Sequence, residues 1–249
     1  MYRLFTLLFL LLPFSNPAQD VAGLMKQADL LENSFRENEA FQKYAEAARL
    51  DPRNITALCK CSELACRIGN RQDSKAKKID YFKTGRSYAD AAYRLNPNGS
   101  EPNIVMAFSM ARMAIVEGGR EKVVAASAIK QYAEKAILVD PNNFKPYHIL
   151  GRWHYEISDL NSLERTLAKW FVGPLPEASL QESIRNFEKS RALFPGFIPN
   201  YLELAKAYKR DGQKARALQL LRQMMPLPDK MLDDDRAKKE GAKLLADWQ

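Results

Sequence analysis

The chain contains only two histidines and three cysteines in 249 residues, and their placement excludes the chemistry such residues usually carry. His148 and His154 lie six apart, so they do not share a helix face as a pair of metal ligands would. Cys59, Cys61 and Cys66 fall in one expected helix. There Cys59 and Cys61 face different ways, and Cys59 and Cys66 stand roughly 10 Å apart at the helical rise per residue. That separation exceeds what a disulfide tolerates, so the three thiols read as small buried packing groups. No HExxH, no GxSxG, no phosphate-binding glycine loop and no dinucleotide fingerprint is present. With no metal set, no cofactor motif and no catalytic constellation, the chain reads as a non-enzyme.

Long apolar runs are also scarce. The one candidate is Leu4 to Phe14, 11 residues, too short to span a bilayer at about 20 residues. It follows Met1-Tyr2-Arg3, a short positive segment, and precedes Ser15-Asn16-Pro17-Ala18. The pattern is that of a signal peptide over residues 1–18, leaving a mature domain over 19–249 that is exported to a periplasmic or extracellular location. An uncleaved anchor is the alternative. The mature chain offers no transmembrane span.

The formal net charge is +8, which favours acidic partners. Nucleic acid is not an expected partner for an exported chain without a recognised module. One basic cluster, Arg67, Arg71, Lys75, Lys77, Lys78, Lys83 and Arg86, falls on an expected loop and the helix after it. It reads as a solvated loop, with contact to anionic lipid or envelope polymer as the alternative.

What the chain has in abundance is a recurring phrase. It reads YAEAARLDP at 44–52, YADAAYRLNP at 88–97, YAEKAILVDP at 132–141 and FEKSRALFP at 187–195. Each is the end of an amphipathic helix stopped by proline. Pro52, Pro97, Pro141 and Pro195 are spaced by 45, 44 and 54 residues. Five residues before each stands a small residue: Ala47, Ala92, Ala136 and Ser190. Ten residues after each stands another: Ser62, Ala107, Gly151 and Ala205. Recurrence at this period means stacked helical units, and small residues at fixed places let paired helices approach closely.

These residues resemble the tetratricopeptide repeat. The last unit fits best, with Tyr201, Leu204, Ala205 and Tyr208 in its first helix, Gly212 at the turn, and Ala217 and Leu221 in its second. The resemblance implies an all-α, right-handed array of about five helical pairs plus a closing helix over 233–248. Units two and three exceed the usual repeat, and the excess is placed between their helices, around 69–79 and 118–125. Unit four carries an insert, 159–177, whose Leu160, Leu163, Leu167, Trp170 and Phe171 recur at helical spacing. The insert is either an extra helix packed on the array or a hook, centred on Trp170 and Phe171, that engages a partner, an apolar ligand or a membrane surface.

From Gly151 onward a narrower resemblance appears. Gly151-Arg152-Trp153-His154-Tyr155-Glu156, then Phe187-Glu188-Lys189, Phe194-Pro195-Gly196-Phe197, and Leu227-Pro228 before the final helix resemble the regulator of microtubule dynamics family. That resemblance implies a non-enzymatic helical adaptor without cofactors. Relatives are associated with microtubules and organelle contact sites, and lipid binding has been proposed among them.

In tetratricopeptide arrays the first helix of each pair lines the concave face. Repeat phase then nominates Phe108, Arg112, Lys145, His148, Arg152, Tyr155, Leu202, Lys206, Lys209 and Arg210 as a ligand or partner groove. An anionic group would meet Arg112, Lys145, Arg152 and Lys206. A solvated basic face is the plain alternative. The carboxylate clamp that grips chaperone tails is absent, since its places hold Lys60, Glu63, Val105 and Phe108. The leading expectation is an adaptor gripping a protein or peptide, and the alternative is a carrier or sensor of a lipid or other apolar anionic ligand.

Overall fold

The computed structural model describes residues 17–117, 119–162, 165–166, 169–170 and 175–249. The signal-like run and Leu163, Leu167 and Phe171 of the insert lie outside these. Among the described residues there are eleven helices and no strand. They are α1 (Pro17–Asn33), α2 (Glu37–Leu50), α3 (Ile55–Asn70), α4 (Lys75–Leu95), α5 (Ser100–Glu117), α6 (Gly119–Val139), α7 (Phe144–Ser158), α8 (Leu180–Leu193), α9 (Ile198–Arg210), α10 (Lys214–Met224) and α11 (Asp234–Trp248). Consecutive helices pack as five antiparallel pairs, and α11 closes the stack against α9 and α10. The core runs along the array as successive clusters, one pair resting on the next, as stacked repeats require.

The proline phrase has a physical meaning in the fold. α2, α4, α6 and α8 end at Leu50, Leu95, Val139 and Leu193, each two residues before its proline. The backbone N–H of the intervening residue (Asp51, Asn96, Asp140 or Phe194) donates to the carbonyl of Ala47, Ala92, Ala136 or Ser190. Those four small residues have no exposed surface. The stop is then tied to the following helix. Asn103 Nδ2, Tyr147 Oη and Tyr201 Oη donate to the carbonyls of Pro97, Pro141 and Pro195 at 3.0, 3.2 and 2.9 Å. Each satisfies an acceptor beyond the helix end that would otherwise depend on water.

Helix starts are fixed by side-chain caps. Asn54, Ser74, Asn143 and Ser179 accept from backbone N–H groups of Ala57, Lys77, Lys145 and Glu182. The cap at Ser74 bears on one correction. The extra length of units two and three lies in helix, not in loops: α4 and α6 run 21 residues each, against 14 in α2 and α8. No proline interrupts either segment, Ser74 starts α4 early, and good helix formers carry it on.

The second set of small residues sets the helix spacing. Ser62, Ala107 and Ala205 are wholly buried. At Gly151 an added Cβ would stand 2.5 Å from the Phe187 ring, and Ser183 Oγ donates to the Gly151 carbonyl at 2.7 Å. α7 and α8 are therefore in near-backbone contact. Replacing Gly151 with alanine is expected to overpack this crossing and cost about 1–3 kcal/mol, read as a lowered urea midpoint at unchanged m.

Candidate binding site

α3, α5, α7 and α9, the first helices of units two to five, turn a common face inward. Together with α6 and α11 they line one half-open cavity of about 540 Å³. Phe108 and Arg112 reach it from α5, Lys145, His148, Arg152 and Tyr155 from α7, and Leu202 and Lys206 from α9. Eight of the ten nominated groove residues therefore line one space. Lys209 and Arg210 do not. Lys209 sits over the Trp248 ring at 5.7 Å. Arg210 donates to the Tyr155 carbonyl and to Ser158 Oγ, both at 2.8 Å, and so finishes the C-terminal end of α7. Trp170 is 83% exposed and is not part of the lining.

One wall is apolar: Ile104, Phe108, Ile129, Ile149, Trp153 and Leu202 face the space from four helices. The other is charged, and far less basic than composition implies. Six basic and five acidic side chains line the cavity. Glu203 meets Arg152 at 3.4 Å and Lys206 at 3.3 Å, and Lys206 also meets Glu240 of α11 at 2.7 Å. Lys145 bridges Glu63 at 2.9 Å and Glu101 at 3.5 Å. Burial opposes the Glu63 charge, but Lys145, Arg67 and Lys60 outweigh it and hold the carboxyl down at about 2. Glu63 lies at a position of α3 that repeat phase places on the concave face, whereas Glu203 and Glu240 lie at positions it does not rank, and most of these pairs join different helices.

Arg67 and Arg71 correct the reading of the second basic cluster. Arg67 is buried inside α3, 7% exposed, and is ringed by Glu32 at 2.9 Å, Glu37, and Glu63 at 3.7 Å. Arg71 joins Glu37 to Asp233, the latter at 3.0 Å across 162 residues of sequence. Only Lys75, Lys77 and Lys83 of the cluster are plainly exposed. Truncating Glu37, itself 2% exposed, would take one carboxylate from each of two guanidinium groups and leave them to Glu32, Glu63 and Asp233. Glu37→Ala is expected to cost about 2–3 kcal/mol in denaturant unfolding.

Arg112 stands apart. Its Nη1 donates to the neutral Asn70 Oδ1 at 3.3 Å, and its guanidinium lies 4.9 Å from the centre of the Phe108 ring. Among the described residues no carboxylate lies within ion-pair distance of it, although Asp233 attracts it from further off, and its Nε is sealed from solvent with no acceptor. Burial, with Arg152 nearby, pulls its pKa down to about 10, so it stays charged at neutral pH.

His148 is fixed as a neutral acceptor. Buried Asn200 donates its Nδ2 to the Phe187 carbonyl at 2.8 Å, which leaves its Oδ1 facing His148 Nδ1 at 2.9 Å. Nδ1 therefore carries the proton and Nε2 the lone pair. Burial, with Arg152 and Arg112 nearby, lowers the pKa to about 4 from the ordinary 6.5. The unfolded chain thus takes up this proton first. The contribution to stability is complete above about pH 6.5 and is lost as pH falls towards 4, by on the order of 3 kcal/mol. His148→Asn keeps the donor to Asn200 and does not titrate. Its stability, measured by urea unfolding between pH 7 and 4.5, is expected to fall less than that of the unsubstituted chain.

His154 packs edge-on against Trp153 at 4.9 Å, as a core histidine should, but its Nδ1 finds no partner among the described residues. The three cysteines are free and buried, and burial pushes each thiol up to about 12, which makes them poor nucleophiles. The described residues hold no cluster able to bind a metal ion, and none of their helices is long and apolar enough to cross a membrane.

Residues 24–249 match the family model described as regulator of microtubule dynamics protein 1-3. The chain belongs to this family. Regulator of microtubule dynamics protein 3 of Xenopus laevis is 32% identical over 164 residues, 66% of this chain and 35% of that protein. Protein 3 of Mus musculus is 26% identical over 235 residues, 91% of this chain and 49% of that protein. The chain thus spans about half the length of these relatives, or less. None of these names describes an enzyme. Among solved structures, a thermophilic TPR protein of Thermus thermophilus covers 90% of this chain and 99% of its own with a TM-score of 0.61 at 14% identity. That likeness shows the fold: a tetratricopeptide-like array within the regulator of microtubule dynamics family. The closing helix is the part of the site that sequence reasoning missed. Asp233, Arg236, Ala237 and Glu240 of α11 and its approach cover the cavity, and their acidic-basic alternation was the one available signal.

Proposed function

We propose that this member of the family is a non-enzymatic binding module that carries or senses a small amphipathic anionic ligand. The observation that carries the proposal is the cavity. Protein interiors are close-packed, and a space of about 540 Å³ is far larger than a packing defect. It falls in the range of small-molecule sites and has the apolar wall typical of them, while the charged side chains of the opposite wall are largely paired with one another. A peptide adaptor needs an open groove with polar groups spread along it, whereas α11 walls one side of this half-open cavity and ion pairs occupy most of its charges. The amphipathic ligand is therefore preferred to the peptide.

Export, expected from residues 1–18, belongs to the proposal, and it would separate this chain from the filaments that its relatives are named for. N-terminal sequencing of protein from its source, beginning near Gln19, would support export. Native mass spectrometry of the same material tests the ligand. An adduct of lipid-like mass that is lost in Ala111→Trp, which fills the cavity, is expected. A clean apo mass together with a captured peptide would return the adaptor reading.

A further inference from the structure

We infer that the cavity selects ligands bearing one negative charge, and that Arg112 is the residue that receives it. The inference rests on the amphiphile reading and specifies its head group. Of the six basic side chains on the cavity wall, five are committed to carboxylates: Arg67, Lys145, Arg152, Lys206 and Arg236. Arg112 is the remainder. It is held in place by a neutral amide and an aromatic face, neither of which cancels a charge; the one carboxylate that attracts it, Asp233, stands beyond ion-pair distance and is already shared by Arg71 and Arg236, and the Arg112 Nε is enclosed without an acceptor.

A cation in such surroundings is costly until an anion joins it. The structure keeps Arg112 there while supplying carboxylates to each of its basic neighbours. The missing counter-charge is then the ligand's. The guanidinium fork suits a carboxylate or a phosphodiester, either of which brings two oxygens and one charge. Phe108, one turn earlier on α5, places apolar surface beside the head group, and Ile104, one turn further, continues it along the same helix face.

A second negative charge has no such welcome. To receive it, Arg152 or Lys206 would have to leave Glu203, or Lys145 would have to leave Glu63. Each move takes one of two basic partners from a largely buried carboxylate, so the gain of one contact is offset by the loss of another. A neutral head fails for the opposite reason, because it leaves Arg112 unpaired.

The test uses four ligands of equal chain length below their micelle concentrations at pH 8: dodecanoate, methyl dodecyl phosphate, dodecanol and dodecyl phosphate. The last is a dianion at that pH. Binding is read by calorimetry, with fluorescence of Trp153 on the cavity wall as a second signal. The two monoanions are expected to bind about tenfold or more tightly than dodecanol and the dianion. Their ratio to each other tells a carboxylate source from a phosphodiester source. Arg112→Gln is expected to bring the monoanions down to dodecanol, and Arg112→Glu to prefer dodecylammonium, a reversal that misfolding does not produce. If the dianion binds as tightly as the monoanions, or Arg112→Gln keeps the preference, the assignment is wrong while amphiphile binding stands. If none of the four binds, the amphiphile reading and this inference fall together.

Discussion

The arrangement turns on Arg67, a guanidinium buried in α3 and shared among Glu32 of α1, Glu37 of α2 and Glu63 of its own helix. A buried charge of this kind stabilises little on its own, because desolvation consumes most of the attraction. Its consequence is geometric. Glu37 can satisfy Arg67 only if α2 lies where the repeat puts it, and the same carboxylate then reaches Arg71. Arg71 in turn reaches Asp233 ahead of α11. A stack of pairs that need contact only its neighbours is in this way joined from its second unit to its last helix. The space between those ends is the cavity.

Much of the fold was legible because the repeat is local. A proline two residues past a helix end, a small residue five before it and another ten after it act within one unit or between neighbours. Periodicity records such positions directly, as Ala92, Pro97, Asn103 and Ala107 show. Helix phase also brings Phe108, Arg112, Lys145, His148, Arg152, Tyr155, Leu202 and Lys206 to one space, though not Lys209 and Arg210. The extra length of units two and three was misplaced for a related reason. A break in period shows that residues are added, not whether Ser74 caps them into helix.

The electrostatics were not legible. Lys206 and Arg152 looked free because Glu203 is one residue out of phase with the nominated positions, yet its carboxylate lies between theirs. Arg67 looked like part of a solvated run because its neighbours in sequence, Arg71 to Lys78, are basic. Its neighbours in space come from α1 and α2. Charge pairing over 30 to 160 residues leaves no period. The closing helix was placed correctly but not as a wall, since a pattern of acid and base on one face does not say which surface lies opposite.

A chain with a strong excess of basic residues could leave many cavity cations unpaired. This one leaves Arg112. Carboxylates stand against Arg67, Lys145, Arg152, Lys206 and Arg236, and His148 is kept neutral by burial while Asn200 fixes its tautomer. Local consistency is the rule in folded proteins, and the place where it fails is where function is expected. Asn70 could have been the aspartate that paired Arg112 at the cost of one oxygen. That it is an amide keeps the guanidinium in place by hydrogen bond while leaving its charge to be met from outside. The polarity of Asn70 and the charge of Arg112 together separate positioning from neutralisation, and a site built to hold an anion reversibly needs both.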